Sequence, residues 1–187
     1  MLGNTFEYQF VGKEKYLDIT VDLYHFKCLF NQTYILEVEI HIYNIYFIKF
    51  FKKNHRNSKN RYNLVNAPRL SKNPKAAENF LTILNTVVKV ITTTYKNDKI
   101  ASFGFIGAPT LREKSNKNKE NINEDGTVRD TKRMNIYSIF VKRYFDPAEF
   151  EHIEFPDSSC YLIKSVDNLE LTIDKVEDFF NRYLYTY

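Results

Sequence analysis

The sequence predicts an α+β domain: a mainly antiparallel sheet from the N-terminal half, about three helices packed on one face, and a long polar insertion loop. Three observations predict it. Apolar and polar residues alternate at period two through the first third. Helical spacing takes over in "PKAAENFLTILNTVVKVI". The later segments then interleave helices and strands with no internal repeat. A chain of 187 residues suits one domain spanning 1–187, and 43% hydrophobic with 16% aromatic residues supplies its core.

"FEYQFVG", "YLDITVDLYHF" and "YILEVEIHIY" each set apolar side chains against polar ones, with the β-branched and aromatic content of strands. In the third, Leu36, Val38, Ile40 and Ile42 share one face while Glu37, Glu39 and His41 share the other. One face is therefore expected to be wet and the sheet antiparallel. Unbroken continuation through "NIYFIKFF" would make a strand of about 17 residues, beyond the usual range of roughly 3–10, so a turn, bulge or bend is expected near Asn44.

Residues 52–72 form a basic connection. Asn73 and Pro74 then supply the N-cap and first-turn proline of a central helix carrying Ala77, Phe80, Leu81, Leu84, Val87, Val88 and Ile91. "KIASFGFIG" reads as a buried strand whose Gly104 and Gly107 leave room for a close neighbour. A polar insertion loop, 112–131, leads to a second helix marked by Ile136, Tyr137, Phe140, Val141 and Tyr144. Asp146, Pro147 and Glu149 make a capping box for a short helix. "CYLIK" is a strand, and Ile173, Val176, Phe180, Tyr183 and Leu184 mark a C-terminal helix.

The net charge of +4 is unevenly spread, because residues 40–77 hold nine basic side chains and no acid. Such a run attracts a phosphate backbone, so Lys52, Lys53, Arg56, Lys59, Arg61, Arg69 and Lys72 are candidate nucleic-acid contacts; the competing reading is a solvated loop. "GFIGAPT" lacks the glycine spacing of a nucleotide cradle. A second candidate is a small anion pocket in which Lys132 and Arg133, opening a helix, stand near Gly107 and Thr110, with Tyr137 one turn on. Its rival is an Arg133 paired with a carboxylate of the loop or sheet and a core Tyr137.

His25, His41, His55 and His152 form no ligand spacing, so neither a metal nor a cofactor is expected. A Cys160/His152 nucleophile pair can be drawn, but Cys160 opens an apolar strand, where a thiol is usually buried and inert. No catalytic set is legible. The most apolar run, Ile40 to Ile48, falls short of the roughly 20 residues a spanning helix needs, no secretory leader opens the chain, and the two cysteines suggest no disulfide framework. A cytoplasmic protein off the membrane is expected.

The stretch from "YNLVN" through "KIASFGFIGAPTLREK" to "TKRMNIYSIFVKRYF" resembles a group of small bacterial proteins of unassigned activity, mainly from Bacteroidetes. In that group a long helix leads to a strand ending Gly-Ser/Ala-x-x, and an Arg-x-x-x-Tyr helix follows. The matching positions are Gly107, Thr110, Arg133 and Tyr137, over roughly the middle half of the chain. The resemblance implies a bacterial or mobile-element origin and the Arg/Tyr pairing; the departure is the insertion, since the group often passes from strand to helix in a few residues.

The first functional expectation is a non-catalytic accessory or interaction protein of bacterial, phage or mobile-element origin, in phage or phage-defence biology, with a protein partner and the option of homo-oligomers. The alternatives are a nucleic-acid binder and an enzyme or binder acting on a phosphorylated small molecule at Arg133 and Tyr137. The nucleic-acid alternative predicts affinity that falls steeply with salt, with alanine at Lys52, Lys53, Arg56, Lys59 and Arg61 flattening the slope in a binding titration; no binding at low salt ends it.

Overall fold

The alternating segments of the N-terminal third pair as hairpins. The computed structural model describes residues 2–62, 73–110, 113–114, 120–124 and 127–185. Strands β1 (Tyr8–Tyr16), β2 (Ile19–Lys27), β3 (Thr33–Ile40) and β4 (Ile45–Lys52) form an antiparallel meander. Helix α1 (Lys75–Asn97) then crosses over to β5 (Ser102–Ile106), which lies parallel to β4. After α2 (Lys132–Tyr144), a hairpin of β6 (Phe150–Phe155) and β7 (Cys160–Ser165) completes a seven-stranded sheet of order β1-β2-β3-β4-β5-β7-β6, and α3 (Ile173–Tyr185) follows. The fold is α+β with a mostly antiparallel, open sheet. No helix among the described residues is long and apolar enough to cross a membrane.

The expected break near Asn44 is a 3-10 turn over Ile42–Asn44, in which Tyr43 and Asn44 take φ of 59° and 52°. Left-handed backbone is unfavourable for a tyrosine, so it must be held from outside. Asn168 does this: its buried amide nitrogen lies 2.9 Å from the Tyr43 carbonyl, 3.0 Å from that of Ile100 and 3.1 Å from Ser102 Oγ. Its Oδ1 accepts the Leu171 N–H at 3.2 Å.

The layer arrangement departs from expectation. Helices α1 and α2 cover one face, where Ile83, Leu84, Val87, Val88 and Val141 pack on Leu36, Val38, Ile48, Phe103 and Tyr161. Helix α3 covers the opposite face, setting Val176, Phe179, Phe180 and Tyr183 against Ile45, Phe47, Cys160 and Leu162. The reason is that "IYFI" and "CYLI" are apolar on both sides of the pleat, and each fully buried large side chain stabilises by about 1.5–3 kcal/mol. Only β1, at the edge, stays largely exposed; a bulge between Phe10 and Gly12 and the run Lys13-Glu14-Lys15 discourage edge pairing.

One further expectation is corrected. The capping residues at Asp146 make a single turn, with its Oδ1 accepting from Ala148 N at 2.9 Å and its carbonyl from Phe150 N, and the chain then enters β6. "FEHIEF" alternates at period two, so the helix has no apolar stripe to continue on. The insertion loop is also partly built: Ile122 and Val128 form an antiparallel bridge, Val128 is buried, and its carbonyl accepts from Ser159 Oγ at 2.8 Å.

Replacing Asn168 with alanine should leave the Tyr43 and Ile100 carbonyls without this donor and cost about 3 kcal/mol. A thermal melt should register this as a drop of roughly 6–12 °C.

Candidate functional site

The β4–β5 ladder holds for three pairs, from Ile45↔Ser102 to Phe47↔Gly104, and beyond them the two strands no longer pair. Their exits diverge. After β4 the chain turns to the α3 side, where Tyr62 packs edge-on against Phe51 at 5.5 Å; after β5 it leads toward α2 on the other side. A cavity of about 130 Å³ opens in this crevice. Leu84, Val87 and Val88 of α1 and Tyr137, Phe140 and Val141 of α2 wall it, with Ile48, Phe50 and Phe105 from the sheet. It lies outside the carboxyl ends of parallel strands, the position at which open sheets commonly take ligands.

Gly107 sits at the junction as expected. Its N–H donates to the Ser159 carbonyl at 2.8 Å, and its own carbonyl accepts from Thr131 Oγ1 at 2.5 Å. A Cβ there would lie 2.5 Å from both Met134 N and Thr131 Oγ1, so only glycine allows this approach of strand to helix. Thr131 caps α2, its hydroxyl accepting from Met134 N at 3.2 Å.

Thr110 and the start of α2 converge on a carboxylate of the chain itself. Glu113 Oε2 accepts from Thr110 N at 2.7 Å and Thr110 Oγ1 at 2.6 Å, while its Oε1 accepts from Lys132 N at 2.9 Å. Burial would raise this carboxyl's pKa, but those bonds and the Arg133 charge outweigh it and hold it below the usual range. The Lys132 residue is exposed.

Arg133 and Tyr137 line the cavity, and the Arg133 charge also acts on Glu113. Arg133 is 6% exposed and donates from Nη1 to the Tyr62 carbonyl. The Tyr137 ring meets Phe105 edge-on at 5.4 Å. Among the described residues its hydroxyl has no hydrogen-bond partner, and burial pushes its pKa up to about 12, so it remains a donor at neutral pH.

The basic run is dispersed. Lys52 is 3% exposed, Arg56 pairs with Glu14 at 3.0 Å, and the Arg61 guanidinium lies over the Phe51 and Tyr62 rings at 5.1 and 4.8 Å. Lys53 and Lys59 are exposed, whereas Arg69 and Lys72 lie outside the described residues. Nor do Cys160 and His152 meet. Cys160 faces α3, where burial pushes its thiol pKa up to about 11, and His152 faces the other side, bonded through Nδ1 to Tyr161 Oη at 2.9 Å and through Nε2 to the Phe145 carbonyl at 3.1 Å. Among the described residues no group of three or more His, Cys, Asp or Glu side chains is placed to hold a metal.

The face expected to be wet holds a polar cluster that the alternation did not announce. Under α3 the side chains of Glu39, His41 and Lys49 are only 13%, 9% and 10% exposed. Glu39 bonds Lys49 Nζ through one oxygen; the other lies 3.3 Å from His41 Nε2 and accepts from Tyr183 Oη at 2.6 Å. Burial alone would raise the Glu39 pKa, but these hydrogen bonds and the Lys49 charge bring it down to about 2. Glu37, which faces Lys49 in the ladder and accepts from Tyr62 Oη at 3.5 Å, is instead pushed up by burial despite Lys49 and Arg61. The available signal was Lys49, the one charge in "NIYFIKFF" and in register with Glu37. Lys49 and Tyr62 also line the crevice, joining this cluster to its rim.

The opposite shifts predict opposite variants. At pH 7 Glu39→Gln should cost about 3 kcal/mol in urea unfolding, because it takes the hydrogen-bonded carboxylate from a buried lysine. A lowered carboxyl pKa stabilises above its ordinary value, so the gap should close as pH falls from 4.5 toward 2. Glu37→Gln should be neutral or stabilising at pH 7, since a raised carboxyl pKa disfavours the folded state once the group ionises.

No family model, curated protein or solved structure matches the chain.

Proposed function

We propose that the chain is a non-catalytic accessory protein that binds a small, largely apolar molecule in the β4–β5 crevice and answers to a protein partner. The observation that carries this reading is the cavity of about 130 Å³ walled by α1 and α2 where the parallel ladder stops. A dry apolar cavity of about 150 Å³ is large enough for a benzene ring, so the space suits a ring-sized body. The polar insertion supports the accessory role, because its Glu113 grips Thr110 and Lys132 beside α2, whose Arg133 and Tyr137 wall the cavity. The non-catalytic character rests on the separation of Cys160 from His152 and on the engagement of both Glu39 oxygens by neighbouring side chains.

A neutral panel of toluene, benzyl alcohol and indole should raise the melting temperature by several degrees at saturation, as mass action requires of a ligand that binds only the folded state. Val88→Phe, which places a ring in the cavity, should melt as a folded protein and lose that shift. A folded wild type that responds to none of the panel overturns the reading.

A further inference from the structure

Resting on that reading, we propose that the crevice is a site for a small monocarboxylic acid: the carboxylate meets the Arg133 guanidinium and the Tyr137 hydroxyl, and a ring-sized or branched apolar body lies between α1 and α2. Among the described residues the charged side chains that line the cavity are Arg133 and Lys49, both cationic. Lys49 is already matched to Glu39 on the α3 side. Arg133 projects from the first turn of α2, and its bond to the Tyr62 carbonyl anchors the guanidinium at the cavity rim.

Tyr137 supplies the second, independent observation. Its hydroxyl sits in apolar surroundings with no hydrogen-bond partner among the described residues, four positions after Arg133 and therefore on the same helix face. Tyr137 is half-buried, and a hydroxyl that no neighbouring side chain engages is open to a bound acceptor. A guanidinium and a phenol together offer the planar, multi-donor geometry that a carboxylate fits. A phosphate monoester fits less well, because it brings a second charge and a third oxygen into a space lined almost wholly by carbon. Size argues against a peptide terminus, whose backbone must follow its last residue through the same opening.

The test compares near-isosteric probes on the full chain by isothermal titration at pH 7: benzoate against benzyl alcohol. Benzoate should bind at least about tenfold more tightly, a difference of roughly 1.4 kcal/mol. Tyr137→Phe should remove a several-fold share of that preference, and Arg133→Met the rest, with benzyl alcohol affinity falling less than that of benzoate. Because Arg133 is buried and its variant can fail to fold, the wild-type comparison and Tyr137→Phe are sufficient. Equal affinities for the two probes overturn the carboxylate assignment and leave the cavity reading standing, whereas failure of every probe overturns both. A short peptide ending in phenylalanine that outcompetes benzoate assigns the site to a protein terminus and overturns the small-acid proposal.

Discussion

The two halves of the sheet are joined by three residue pairs of parallel ladder, and most of the remaining structure serves to hold that joint. The meander on one side and the β5-β7-β6 block on the other are antiparallel and locally closed, but Ile45 to Phe47 against Ser102 to Gly104 is the whole of their shared edge. Parallel pairing needs a crossover, and α1 provides it while packing across both halves. Tyr46 adds a bond from its hydroxyl to Asp98 at 2.9 Å, and on the other face Phe47 is enclosed by Phe179, Phe180 and Tyr183 of α3. Gly104 lets this happen, because a Cβ there would lie 2.8 Å from the Phe47 ring. The crevice is the other side of the same constraint, since a joint so short leaves the strand ends unpaired.

Charge is handled by one rule in three places. A buried ion persists where several donors converge on it, and otherwise its protonation equilibrium shifts toward the neutral form. Glu113, with three hydrogen bonds at a helix start, and Glu39, with a lysine, a histidine and a tyrosine, both favour the carboxylate. Glu37, two positions from Glu39 on the same strand face, has weaker contacts and its pKa is raised. Identical residue types in the same strand are thus shifted in opposite directions by neighbours contributed by α3 and the segment after β4.

Local periodicity made much of the fold legible. The strands, the break at Asn44 and the apolar stripe of α1 follow from patterns within a few residues, and so does the close approach at Gly107. What lay beyond reach was tertiary. Glu37, Glu39 and His41 read as solvent-facing because alternation reports two faces without saying whether a distant helix will cover the polar one. The continuous apolar runs of β4 and β7 were the available hint, and they were stronger evidence than the polar residues of β3. Arg133 and Tyr137 were legible as a pair, but the occupation of Thr110 and the helix start by the chain's own Glu113 was not. The turn at Asp146 shows the converse: a sound capping signal yields to a period-two stretch when no apolar stripe follows.

The Gly107–Thr131 clasp bears on how such a chain can vary over evolutionary time. Strand and helix are bonded to each other directly, so the residues between them close a loop whose ends are already fixed. The entropy of closing a loop grows only logarithmically, about 0.6 kcal/mol for each doubling of length. Apart from Glu113 and the bridge of Ile122 with Val128, lengthening or shortening that segment is therefore nearly free to the core, and the surface it presents can be remade without disturbing the crevice beneath α2.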